Sequence, residues 1–92
     1  MKQCLKITFL LPDDDNFLQK IIQRYARRLE LEGVAQMVEP KRVQVVACGS
    51  KEAIEKLIDT IYQGDSKAHP ENVEVEPFTK EQNFRGIFRV IE

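Results

Sequence analysis

A chain of 92 residues, 42% of them hydrophobic and 32% charged, has the make-up of one soluble globular domain and not of a disordered tail or a fibrous repeat. Fourteen basic against fifteen acidic residues leave a net charge of -1, so no global field gathers nucleic acid or an anionic membrane, and any electrostatic recognition is local. At this length folding buries roughly 60 to 70% of the unfolded surface, enough for a core that needs no obligatory metal, cofactor or disulfide framework.

Leu5, Ile7 and Phe9 alternate with Lys6 and Thr8, the period-two pattern of a strand buried on one side, which predicts a first strand over Lys2 to Leu11. Lys6 inside this stretch and the acidic run Asp13 to Asp15 after it rule out reading it as a signal peptide or a spanning helix, and a cytoplasmic location without membrane attachment is the expectation. Pro12 interrupts the strand. Asp13, Asp14, Asp15 and Asn16 then offer N-cap side chains and carboxylates for the positive end of a helix over Asp15 to Glu30. Its stripe is Leu18, Ile21, Ile22, Tyr25 and Leu29, at three- and four-residue spacing, and Gly33 stands where a helix stop is expected.

Val34 to Glu39 and Arg42 to Cys48 read as two strands of a hairpin joined at Pro40-Lys41. Ser50 is positioned to cap a second helix over Ser50 to Gln63, with the stripe Ile54, Leu57, Ile58 and Ile61 and with Gly64 as its stop. The polar segment Asp65 to Glu71 reads as a loop. A fourth strand begins at Val73, and Phe84 to Ile91 supplies a last, short one. The order β, α, β, β, α, β plus a short final β predicts two layers, with both helices on one face of an antiparallel sheet. With no linker or repeat, residues 1–92 are expected to form a single domain.

Two stretches carry more than periodicity. Ala26-Arg-Arg-Leu-Glu-Leu-Glu-Gly33 and Val43-Gln-Val-Val-Ala-Cys-Gly49 resemble the acylphosphatase family, in which a helix ends in Ala-x-x-Leu-Gly-Leu-x-Gly and a strand closes on Val-x-Val-x-Ala-x-Gly. The resemblance spans Lys6 to Ile91 and implies a ferredoxin-like α+β sandwich. It also implies a chemistry, hydrolysis of carboxyl-phosphate bonds. That chemistry uses a Gly-rich loop with an arginine that holds phosphate and an asparagine that orients the attacking water.

Aligned without a gap, the phosphate arginine falls on Gln19 and the asparagine on Met37. A neutral amide cannot make the bidentate, charge-assisted pair that arginine makes with phosphate, and a thioether cannot orient water. The loop falls on residues 11–19, where Pro12 lacks a backbone donor and glycines are missing. Its three aspartates would also face a phosphate: at about 5 Å and an effective dielectric near 20, each like-charge pair costs roughly 3 kcal/mol. The expectation is a pseudoenzyme, a non-catalytic binding, regulatory or structural domain. An active acylphosphatase with a displaced site centred on Arg24, the nearest arginine, is the alternative.

Other constellations are weaker. Consecutive aspartates point in different directions and lack the spacing of a calcium loop, so they read as a helix cap and no metal is expected. Lys20, Arg24, Arg27 and Arg28 follow i, i+4, i+7, i+8 and share a helix face, which offers an anionic ligand, a nucleic acid or an acidic protein a place to dock. His69, the sole histidine, has no catalytic partner set by spacing. Cys4 and Cys48 are each out of phase with the core residues of the first and third strands, which are adjacent and antiparallel in this topology. Both should therefore project from the open sheet face within reach of a disulfide, with free thiols the ordinary state in a reducing cytoplasm. That open face carries enough apolar surface for a monomer or a weak homodimer.

Overall fold

The computed structural model describes residues 2–12, 16–64, 69–79 and 84–91. Along the chain lie β1 (Lys2–Leu10), a π-helical segment (Leu18–Gln23) that runs into α1 (Arg24–Arg28), β2 (Glu32–Glu39), β3 (Arg42–Ser50), α2 (Lys51–Gln63), β4 (Glu71–Pro77) and β5 (Phe88–Ile91). The strands form one sheet in the order β4-β1-β3-β2-β5. Ile7 and Phe9 of β1, Val43, Val45 and Ala47 of β3, and Ala35 of β2 form the buried face, against Leu18, Ile22 and Ala26 on one side and Ile54, Leu57 and Ile61 of α2 on the other. Each large side chain buried this way contributes about 1.5–3 kcal/mol, which makes this layer the source of the fold's stability. The expected α+β ferredoxin-like sandwich is the one formed.

Four details differ from the sequence expectation. The sheet is mixed: β1 pairs antiparallel with β3 and β4, and β2 with β3, but β5 lies parallel to β2, Gly33 opposite Phe88. The reason is topological. β4 and β5 run in opposite directions, and β5 reaches the far edge beside β2, which runs the same way as β1. The strand ends shift as well: β4 begins at Glu71, two residues before Val73, and β5 is confined to Phe88–Ile91, preceded by a turn at Arg85 and Gly86. The first helix is shorter than Asp15 to Glu30 and begins with a wider winding, whose hydrogen bonds reach i→i+5. The capping role expected of Asp13, Asp14 and Asp15, and most of the loop expected from Asp65, lie outside the described residues.

The fourth difference concerns the end of the first helix. Gly33 does not stop it. The Leu31 N–H donates to the Ala26 carbonyl at 2.9 Å and the Glu30 N–H to the Arg27 carbonyl at 3.1 Å, with Glu30 in the left-handed region at φ 59°. These are the two bonds of a Schellman stop, and its left-handed position ordinarily belongs to glycine. The acylphosphatase-type pattern Leu-Gly-Leu has that glycine, and here Glu30 replaces it. Gly33 lies instead inside β2 at φ 146°, where a Cβ would come within 1.8 Å of the Val46 carbonyl oxygen. The second helix follows expectation, since the Ser50 hydroxyl accepts from the Ala53 N–H at 3.1 Å and Gly64 ends it at φ 62°.

Two substitutions of opposite sign test this account. Glu30→Gly should stabilise the protein by about 1 kcal/mol, by relieving a left-handed residue that carries a Cβ. Gly33→Ala should destabilise it by about 2–4 kcal/mol, because the added methyl meets backbone that cannot yield. Urea denaturation of both variants measures the two shifts.

Candidate functional site

The site that the sequence singles out is the connection from β1 to the first helix and the strand beside it. Leu11 is fully buried and its N–H donates to the Lys41 carbonyl at 2.7 Å, which pins the start of the connection to the β2–β3 turn. At the far end Asn16 sits at φ 59°, a conformation its side chain tolerates better than most, and its carbonyl accepts the Lys20 N–H at 2.8 Å. Phe17 and Leu18 follow, both buried, and anchor the helix start to the core. Gln19, next along, is exposed.

Met37 stands in β2 opposite Val43 of β3, half-buried and packed against the core. The two positions therefore differ in kind. Gln19 is a neutral side chain in solvent at the head of the helix, whereas Met37 adds its thioether to the apolar layer. Neither lines the cleft of about 320 Å³ beside β2 and β5, bordered by Gly33, Val34, Phe84, Arg85, Ile87 and Arg89. Neither lines the cleft of about 340 Å³ beside β1 and β4, which includes Thr8, Arg42 and Glu74. Among the described residues no group of three His, Cys, Asp or Glu side chains could hold a metal ion, and no helix is long and apolar enough to cross a membrane.

The basic helix residues are brought to one element but not to one task. The Arg27 Nε donates to the Phe88 carbonyl at 3.3 Å, so this side chain ties the helix to β5. The Arg28 guanidinium lies 5.6 Å from the centroid of the Tyr25 ring, a cation–π distance within the same helix. Lys20 and Arg24 are exposed. His69 is exposed on the way into β4, away from this connection in the chain.

Sequence reasoning passed over Glu32. Its side chain is only 13% exposed, its carboxylate forms an ion pair with the Lys2 ammonium, and its Oε2 accepts the Gly86 N–H at 2.7 Å. One carboxylate thus joins the start of β1, β2 and the turn before β5. Its partners are distant in the chain, so no local pattern could have announced it.

Residues 16–90 match the profile of the family described as acylphosphatase. An acylphosphatase of Chloroflexus aurantiacus is 38% identical over 69 residues, which cover 72% of this chain and 71% of that protein. The structure of an acylphosphatase from Coxiella burnetii superposes with a TM-score of 0.83 at 26% identity, over 98% of this chain and 93% of that one. The crystal structure of acylphosphatase from Bacillus subtilis reaches 0.84 at 15% identity over the full length of both, a likeness of fold.

Arg27→Met keeps the apolar stem and removes the donor to β5. It should cost about 1 kcal/mol and speed amide exchange at Phe88 to Ile91 about fivefold, with β1 and β3 unchanged.

Proposed function

The chain belongs to the acylphosphatase family, and from that premise we propose that it uses the family's scaffold without the family's hydrolysis, as a small cytoplasmic domain with a binding, regulatory or structural role. We include in this reading that residues 1–92 act as a single domain. One observation carries it: the positions aligned with the phosphate-holding arginine and the water-orienting asparagine hold Gln19 and Met37. Hydrolysis of a carboxyl-phosphate bond builds negative charge on the phosphoryl oxygens, and a fixed guanidinium stabilises that charge where a neutral amide does so poorly. The attacking water needs a donor or strong acceptor to aim it, and Met37, packed against the apolar layer, has no donor and only a weak thioether acceptor.

A second reading is hydrolysis of acyl phosphates by this chain through a displaced cationic site. The name of the Chloroflexus aurantiacus relative supports that reading more than it supports a non-catalytic role. On this reading the charge comes from Arg24, exposed and more than one helical turn beyond Gln19.

Hydrolysis of a small acyl phosphate separates the two. The unaltered chain should show no turnover above the uncatalysed rate, and Gln19→Arg combined with Met37→Asn should raise the rate by at least about 100-fold, the scale of one electrostatic stabiliser restored. Turnover by the unaltered chain that Arg24→Ala abolishes would establish the second reading instead.

A further inference from the structure

Cys4 of β1 and Cys48 of β3 are directly opposed in the antiparallel ladder, with Cα atoms 4.1 Å apart, and their sulfurs are joined. The ladder continues on both sides, through Gln3 opposite Gly49 and Leu5 opposite Ala47. Opening the bond therefore removes a covalent link while the backbone pairing that sets the register stays. Two folded states, oxidised and reduced, are available to the same strands.

The two cysteines are not equally buried. Cys48 is 2% exposed, on the strand flanked by both β1 and β2, whereas Cys4 is half-buried near the start of β1. Thiol exchange is an in-line attack on one sulfur with the other as leaving group, so access decides which is attacked. Residue 4 is moreover coupled to more than β1, because its carbonyl accepts the Phe78 N–H at 3.1 Å, at the point where the chain leaves β4.

We propose that Cys4 and Cys48 form a reversible redox switch in which Cys4 is the sulfur attacked from solution and Cys48 the sulfur released and later returned. A small-molecule thiolate, glutathione for instance, attacks the Cys4 sulfur. The Cys4–Cys48 bond breaks, its electron pair leaves on Cys48 as a thiolate, and Cys4 carries a mixed disulfide. A second thiolate attacks the outer sulfur of that mixed disulfide, which releases Cys4 as a thiolate and one molecule of the oxidised small disulfide. Both protein thiolates then take protons from water. Oxidation reverses these steps, with the small disulfide as oxidant and Cys48 resolving the intermediate. The consequence is local: the start of β1 and the Phe78 contact loosen in the reduced form, while Ile7 and Phe9 stay locked in the core. Gln19 follows the opposite end of β1, so the outcome does not depend on whether the chain hydrolyses acyl phosphates.

The purified chain, equilibrated over a range of reduced-to-oxidised glutathione ratios and quenched with an alkylating reagent, tests the switch by intact and peptide mass. Dithiol and disulfide forms should interconvert with unchanged far-UV circular dichroism, and the trapped mixed disulfide should map to Cys4. Amide exchange at Leu5 and Phe78 should be faster in the dithiol form. In Cys4→Ser the remaining Cys48 should alkylate at least about tenfold more slowly than Cys4 does in Cys48→Ala, as burial predicts. A mixed disulfide on Cys48, a bond that opens only on global unfolding, or thiols that stay apart at every ratio would overturn the proposal. The mapping in the unaltered chain decides it even if either variant fails to fold.

Discussion

The pairing of β1 with β3 is the constraint on which the rest of this structure depends. Residues opposed across it fall alternately on two faces: Leu5 with Ala47, Ile7 with Val45 and Phe9 with Val43 toward the helices, and Cys4 with Cys48, Lys6 with Val46 and Thr8 with Gln44 away from them. A slip of one residue would exchange the two sets, turning Lys6 into the core and Phe9 out of it, so the register is strongly specified. β4 takes the free edge of β1 and β2 the free edge of β3, which makes the other strands dependent on this pair. The same register opposes the two cysteines and fixes where β1 ends.

That dependence bears unequally on the two positions the sequence singles out. Gln19 follows β1 and is exposed, whereas Met37 on β2 packs against the apolar layer. Gln19 is exposed and makes no core contact, and substitutions at such positions are ordinarily within about 0.5 kcal/mol of neutral. Met37 contributes an apolar contact to the core. Neither residue opposes folding. The residues that form the core fix the fold and leave the activity to be argued from the site.

What the sequence made legible follows the same division. The alternation in β1 and β3, the stripe and caps of α2, and the opposition of Cys4 and Cys48 were all readable, because each rests on local spacing or on a topology with one solution. The mixed sheet was not, since parallel pairing of β5 with β2 is decided by where a chain lands after crossing from one edge to the other. The π winding at Leu18–Gln23 was not, because Leu18, Ile22 and Ala26 satisfy an ordinary helical stripe equally well. The stop at Glu30 was hidden by its own chemistry: a glutamate gives no sign of a left-handed backbone, and the glycine three residues on drew the assignment to itself. The engagement of Arg27 with the Phe88 carbonyl was not legible, because the stripe rule sorts charged side chains by face and says nothing about what they reach.

β5 shows what happens where apolar burial runs out. Only Phe88 of its four residues is fully buried, and Ile91 is 52% exposed. Beside its parallel ladder with β2, the strand and the turn before it are held by three further polar ties: the Arg27 guanidinium on the Phe88 carbonyl, the Gly33 N–H on the Ile87 carbonyl at 3.0 Å, and the Glu32 carboxylate on the Gly86 N–H. Each is worth about 1 kcal/mol net, far less than a buried aromatic, and two of the three depend on a charged side chain that salt screens. An element attached in this way opens before the core does. The Glu32 tie carries this further, because the same carboxylate holds Lys2 at the start of β1. The turn before β5 and the start of β1 therefore share one anchoring carboxylate.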